Sequence, residues 1–433
     1  PVALVNEKAL PVDDPDYTPF VSTKLPWTPL VPAYGLEEFG LPVPRRNAET
    51  WRHFDVAGMV QQDYSVQSGE GTVELSSEEI EKYQAGIEAS GNWLDDDECE
   101  ARLVYVDGKF SSDLSKTTDW AHNIGSIDDV SDEDTKSYLG RLTDGFTDKL
   151  ATEVPCNDDM LSSYSKLSKP NHNLGDPTSQ FAINAQQGTA CFAAMNTYKT
   201  QSVAYVKAPA KHNEELDELT SPKPLLIINA VSSSGGVEAL DASKGVACHP
   251  RTLVVAEDGA RVSVVQACVD IETEGSTVNP KLYNGYTQMF IKGTANVTHS
   301  YLEETGGVVT AGVEKTDDEF EEDETLARDI EATRPALKDT HLEAIDIHVM
   351  GEEGAYTGAI MGLGGNGRIR IALSVSLLRS KSHASVNGFS LAGGAQRTDM
   401  KTNIHHVAQG TSSAQMQKNM IGGRATGSFR GRI

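Results

Sequence analysis

Apolar and polar side chains alternate most clearly from Arg368 to Leu377. There Ile369, Ile371, Leu373, Val375 and Leu377 fall on one side of an extended chain, and Arg368, Arg370, Ala372, Ser374 and Ser376 on the other. This spacing predicts a strand. Similar short runs, broken by glycine, fill the chain from about residue 180 onwards. Arg251 to Ala256, then Asp258-Gly259, then Arg261 to Gln266 reads as strand, turn, strand, because an Asp-Gly pair accepts the positive φ of a tight turn. Tyr286 to Ile291 precedes Gly293 and a second run, Val297 to Leu302, while Ile345, Ile347 and Val349 alternate with polar neighbours before Gly351. With 15 of the 38 glycines after residue 347, backbones are expected to stack closely in a mainly β core. A sandwich, a barrel and a β-helix all satisfy this pattern. Coils of about 18–25 residues without a strict short repeat fit a degenerate β-helix.

The first part of the chain has a different texture. Residues 1–69 are Pro-rich and aperiodic, which predicts an extended arm with a short helix where Arg46 to Phe54 leads towards Val60. Residues 70–180 form a second unit, acidic and partly helical. Ser76-Ser77-Glu78-Glu79 is a capping box, and Ile80, Tyr83 and Ile87 behind it share one helical face. Ser131-Asp132-Glu133-Asp134 likewise precedes Tyr138, Leu139 and Leu142. Residues 181–433 are the β unit.

Charge sharpens this division. The formal net charge is −26, yet residues 70–160 hold 24 acids against 7 bases while residues 347–433 hold 3 acids against 10 bases. The overall acidity excludes a generally basic nucleic-acid binder. No apolar stretch approaches the ~20 residues of a membrane-spanning helix; the longest, Leu225 to Val231, is far shorter. Cys99, Cys156, Cys191, Cys248 and Cys268 are widely spaced and contain no C-x-x-C pair, so neither a zinc ribbon nor a thioredoxin-type motif is present.

Several motifs have bland readings that outweigh the sharp ones. Gly362-Leu-Gly364-Gly-Asn-Gly367 satisfies G-x-G-x-x-G, but a strand follows it where a dinucleotide site needs a helix, so it reads as a glycine-rich turn. No P-loop occurs, so nucleotide hydrolysis of that kind is excluded for this chain. Asp95 to Glu98 and Asp317 to Glu324 lack the spacing of a calcium loop and read as solvated charge runs. Cys248-His249 and His405-His406 are adjacent pairs, but neighbours on a strand point to opposite faces and cannot readily chelate one ion. Cys248 is expected as a buried small hydrophobe, and His406 as a structural or subunit-interface residue.

The run RTLVVAEDGARVSVVQ from Arg251 to Gln266, the motif Asp399-x-x-Thr402-x-x-x-His406, and the ending Ser413-x-Gln415-x-x-Lys418 … Gly427-Ser-Phe429-Arg-Gly431-Arg-Ile433 together resemble the SufB/SufD core of the iron–sulfur cluster assembly machinery. Pro44-Arg45-Arg46-Asn-Ala-Glu49-Thr-Trp51-Arg52 resembles a signature of the SufD branch. Ala101 to Phe110 is similar to the SufD segment after the first helices.

This resemblance implies a right-handed parallel β-helix that acts as a non-enzymatic scaffold. Its implied partners are a SufB-like paralogue and a SufC-like ATPase, with no nucleic acid and no membrane. It implies no catalytic residue, no metal ligand and no stably bound cofactor, but a transient iron–sulfur cluster at the interface with SufB. His406 and Lys418, within the matching motifs, are the candidate partner-interface residues. The family continues past the equivalent of Ile433 with further coils, a Cys-x-His segment and the helices that dock SufC, so this chain is expected to be truncated and unable to recruit SufC. Gly410 stands where many relatives have a second His after His406. The acidic expansions favour a plastid stroma over a bacterial cytoplasm. The alternative from another class is a β-solenoid enzyme acting on a polymeric substrate, which predicts a groove lined by carboxylates. The last 87 residues offer only Glu352, Glu353 and Asp399 for that.

Overall fold

A computed structural model describes residues 72–117, 125–126, 202–216, 220–232, 245–271, 281–305, 339–364, 367–394 and 396–433. It also describes the strand at 64–66 and Trp51, Phe54, Phe192, Ala193, Asn196 and Thr200. The strand β1 (Tyr64–Val66) precedes helix α1 (Ser77–Ala89), then β2 (Ala101–Val106), β3 (Lys109–Lys116) and β4 (Gly125–Ser126). Next come β5 (Ser202–Ala208), β6 (Pro224–Ser232), β7 (Gly245–Cys248), β8 (Arg251–Ala256), β9 (Arg261–Ile271), β10 (Lys281–Ile291) and β11 (Asn296–Glu304). The chain ends with β12 (Thr340–Val349), β13 (Ala355–Gly362), β14 (Arg368–Leu377), β15 (His383–Ala392), β16 (Arg397–His406), β17 (Ser412–Ile421) and β18 (Thr426–Arg432). The helix expected at 131–142 and the acidic cluster at 317–324 lie outside the described residues, as do most of residues 1–69.

From β8 onwards successive strands alternate between two sheets. One runs β18-β16-β14-β12-β10-β8-β5-β4, with β7 and β1 alongside, and the other runs β17-β15-β13-β11-β9-β6-β2-β3. Pairing is parallel except between β2 and β3 and between β4 and β5. The Asp258-Gly259 turn forms as expected, with Gly259 at φ +73°. The strands it joins do not pair with each other, however. Each finds partners in its own sheet, so the turn is a corner between sheets.

The coil is longer than the expected length of about 18–25 residues. Thr340 stacks on Arg368, Arg368 on Arg397 and Arg397 on Thr426, a step of 28 or 29 residues. Each turn from β8 onwards holds two strands of six to eleven residues and two corners, whereas glycines mark every strand end alike. Identical positions in successive coils lie above one another, so Met289, Ile347, Val375 and Ile404 form one internal column and Ile291, Val349 and Leu377 another. All these side chains are buried. At roughly 1.5–3 kcal/mol per buried aliphatic side chain, such columns hold the two sheets together.

The strand at 368–377 has the expected inward face, but its other face is also covered. Arg370 and Ser376 are buried, and Trp51 from the N-terminal arm lies over the Arg370 guanidinium at 3.8 Å. The second sheet is covered at one end by α1. The capping box is present, with Ser76 Oγ accepting from Glu79 N and Glu79 Oε2 accepting from Ser76 N. Tyr83 and Ile87 pack on Val104, Leu226, Ile228 and Val269, with Ile80 partly buried beside them. Gly86 lets the helix approach, since a Cβ there would lie 2.8 Å from Ile271 Cδ1. Ser76→Ala is expected to lower stability by about 1 kcal/mol, measured as a shift in the urea unfolding midpoint.

Candidate functional site

The two candidate interface residues lie on the last described coils. His406 ends β16 and is exposed; its Nδ1 lies 2.8 Å from Thr411 Oγ1 and its Nε2 2.8 Å from Ser413 Oγ. Both ring nitrogens are thus engaged with hydroxyls that hold the β16–β17 corner. Lys418 is exposed on β17, level with Phe389 of β15. Nothing among the described contacts joins His406 to Lys418. Around them the outermost strands expose Met416, Met420, Ile421 and Phe429.

The matching motifs contain a second feature. Asp399 of β16 sits level with Arg370 of β14 and pairs with it; it also takes Lys401 Nζ at 2.7 Å and the Ser428 hydroxyl. Asp399 and Arg370 are buried. Burial pulls the Arg370 guanidinium below its ordinary range, and the Asp399 carboxylate opposes this. Thr402 accepts from Gln415 Nε2, so the spacing from Asp399 to Gln415 serves contacts between neighbouring coils.

Cys248 and His249 are both buried, and burial raises the Cys248 thiol well above its ordinary value, in keeping with a small core residue. Gly364 and Gly367 lie against the Glu303 carboxyl and the Asp339 carbonyl, and β14 follows them as a strand. The described glycines of the G-x-G-x-x-G run are therefore packed closely against neighbouring coils, and a strand follows them in place of the helix a dinucleotide site needs. Among the described residues no group of three or more His, Cys, Asp or Glu is placed to hold a metal ion.

The strongest concentration of chemistry lies inside the coils. It is built from inward positions of four strands: Gln266 and Cys268 on β9, Tyr283 and Thr287 on β10, Tyr301 and Glu303 on β11, and His341 and Glu343 on β12. All are buried. The Cys268 thiol donates to Tyr283 Oη at 2.9 Å and lies 3.5 Å from Tyr301 Oη. Tyr301 Oη is 2.7 Å from His341 Nε2 and 3.1 Å from Glu343 Oε2, and Thr287 Oγ1 donates to Glu343 Oε1 at 2.8 Å. His341 stacks on Tyr283 with centroids 4.2 Å apart. At the corner Glu303 accepts from Thr305 N at 3.1 Å, from Gly364 N at 2.9 Å and from the Thr305 hydroxyl. Gly285, level with Glu343, leaves the room its carboxyl occupies.

Burial sets the electrostatics. It lifts Glu343 to about 8 and Glu303 to about 7, partly opposed by their hydrogen-bond donors, and it lowers His341 to about 3. A carboxyl with a raised pKa binds its proton more tightly in the folded chain. Its contribution to stability is therefore complete below the ordinary value near 4.5 and is lost as pH rises through about 7 for Glu303 and about 8 for Glu343. The urea midpoint is expected to fall between about pH 5 and about pH 8.5, and Glu343→Gln is expected to flatten that slope. A slope that Glu343→Gln leaves unchanged would contradict this account.

The structure thus consists of two mainly parallel sheets around an apolar interior that holds one hydrogen-bonded polar cluster, with a basic, partly apolar last coil. Residues 239–433 match the family model described as SUF system FeS cluster assembly, SufBD core domain. The match begins just before β7 and runs through β18, so it covers the regular coils. It supports the SufB/SufD family for this chain and a part in iron–sulfur cluster assembly. No curated protein matches the chain.

Proposed function

We propose that this chain is a SufD-like scaffold subunit that works with a SufB-like paralogue and a SufC-like ATPase in assembling iron–sulfur clusters. The match over residues 239–433 carries the reading. The SufD branch is favoured by the Pro44 to Arg52 and Ala101 to Phe110 segments; the second forms the β2–β3 hairpin, turning at Asp107 and Gly108 with φ of 50° and 86°. The coils are taken to wind right-handed, the hand strongly preferred for parallel crossovers. A scaffold suits the described carboxylates better than a polymer-cleaving groove does. Glu303, Glu343 and Asp399 are occupied inside the fold, and Glu352 and Glu353 pair with Lys381 at a corner. Nucleotide chemistry falls to the partner, and any cluster is transient cargo at the interface with the SufB-like subunit.

Co-expression with tagged SufB-like and SufC-like proteins tests the assembly. The chain is expected to co-purify with the SufB-like subunit, and His406→Ala with Lys418→Glu to reduce recovery several-fold without lowering the chain's own unfolding midpoint. Absence of any complex would overturn the scaffold reading, and unchanged recovery of the double variant would overturn the assignment of the two residues.

A further inference from the structure

One buried atom of the interior cluster is left without a partner. His341 Nδ1 makes no hydrogen bond, and Glu303 Oε1 lies 3.8 Å away from it. On the other side of the ring, Nε2 is 2.7 Å from Tyr301 Oη, which is 3.1 Å from Glu343 Oε2. Glu343, Tyr301, His341 and Glu303 therefore form a line across the coil that is hydrogen-bonded up to His341 and open by 3.8 Å at its last step. Among the described residues no Lys or Arg stands at ion-pair distance from either carboxyl.

We infer that this line is a proton relay, in which one proton passes between Glu343 in the middle of the coil and Glu303 at its corner, reversing the tautomer of His341 as it passes. In the first state Glu343 is protonated and donates to Tyr301, Tyr301 donates to His341 Nε2, and His341 carries its proton on Nδ1, facing the Glu303 carboxylate. In the second state Tyr301 donates to the Glu343 carboxylate, His341 Nε2 donates to Tyr301, and protonated Glu303 donates to the bare Nδ1. Three protons each move one place, from Glu343 to the Tyr301 oxygen, from Tyr301 to Nε2, and from Nδ1 to Glu303. The bonds made equal the bonds broken, the net charge is unchanged, and nothing is oxidised or reduced. The last link closes by shortening the 3.8 Å gap between Nδ1 and Glu303.

The surroundings bias the two ends differently. Glu343 faces Gly285 and Thr287 of β10, Ile371 of β14 and Tyr301 of β11, and Arg251 of β8 favours its charged form from a distance. Glu303 faces Cys268 of β9, Gly362 of β13, His341 of β12 and the donors of Thr305 and Gly364, while Asp270 disfavours its charge. Cys268, Tyr283 and Tyr301 are held neutral by burial. With three donors on Glu303, the resting proton belongs on Glu343. Ionised Glu303 then clamps Thr305 and Gly364 at the corner, and the proton's arrival there weakens the clamp. The relay does not depend on the scaffold reading above.

The test is the tautomer of His341, read by 15N NMR of the histidine-labelled chain. The carboxamide introduced by Glu343→Gln offers a donor to Tyr301, so that variant is expected to fix the proton on Nδ1. The carboxamide introduced by Glu303→Gln offers a donor to Nδ1, so that variant is expected to fix the proton on Nε2. The same tautomer in both variants would overturn the relay. Should either variant not fold, the unsubstituted chain decides. Its His341 is expected to show the Nδ1-protonated tautomer in exchange with a minor Nε2-protonated one, read by 15N relaxation dispersion. A single tautomer with no exchange would overturn the relay equally.

Discussion

Asp399→Ala is expected to lower folding stability by about 3–5 kcal/mol, the range seen when one partner of a buried ion pair is removed. Arg370 and Asp399 occupy the same level on β14 and β16, and each side chain is almost wholly buried. The guanidinium is fixed on its other side by the Trp51 ring at 3.8 Å, so it cannot turn to solvent when its carboxylate is lost. Lys401 is buried as well, but its loss leaves Asp399 paired with Arg370 and with the Ser428 hydroxyl. Lys401→Ala is therefore expected to cost less, about 1.5–3 kcal/mol, the scale of one hydrogen bond to a charged group. Urea unfolding of the two variants separates these effects, and equal midpoints for Asp399→Ala and the unsubstituted protein would contradict the assignment. Because Trp51 belongs to the N-terminal arm and Asp399 to the last coils, the same pair ties the two ends of the described chain together.

Gly285→Ala carries the second large effect. Gly285 lies level with Glu343, and a Cβ there would overlap the Glu343 carboxyl and press on the Tyr283 ring. Overpacking a closed interior costs about 1–3 kcal/mol. Displacing the carboxyl from Thr287 and Tyr301 adds about 1–3 kcal/mol for the two buried hydrogen bonds to it that are lost. Glu343→Ala removes the larger of the two obstructions and leaves the Tyr283 ring, so adding Gly285→Ala to it is expected to cost clearly less than Gly285→Ala costs alone. Strictly additive losses in that double-mutant cycle would show that Gly285 and Glu343 do not compete for the same space.

The alternation at Arg368 to Leu377 revealed the inward face because Ile, Leu and Val at every second position admit one arrangement in a strand. It did not reveal that Arg370 and Ser376 are covered too, since the cover over Arg370 comes from Trp51, hundreds of positions away in sequence. Turn chemistry behaved in the same way. Asp258-Gly259 marks a tight turn wherever it occurs, but the residues of the turn do not say whether the strands pair with each other or enter separate sheets. The two-sheet coil is set by long-range register, which local propensity does not encode.

Candidate residues were legible only where they lie close together in the chain. His406 and Lys418 stand out within a dense motif, and the structure places both, exposed, on the last two coils. The interior cluster gave no such signal. Cys268, Tyr283, Tyr301, Glu303, His341 and Glu343 come from four strands, and each pair on a strand, such as Tyr301 and Glu303, reads as an ordinary polar face until the inward side is known. The useful sign was the placement of two residues apart: Tyr301-x-Glu303 and His341-x-Glu343 keep polar groups on one face of strands whose neighbours are apolar on that face.

Cluster assembly on the intact complex tests the central claim most directly. The chain, co-expressed with SufB-like and SufC-like partners, is supplied anaerobically with iron and a cysteine desulfurase system, and cluster formation is followed by visible absorption and iron content. The account predicts a cluster in the complete complex and at least a several-fold loss when this chain is left out. Equal cluster yield without it would contradict the claim that it is a scaffold subunit in iron–sulfur cluster assembly.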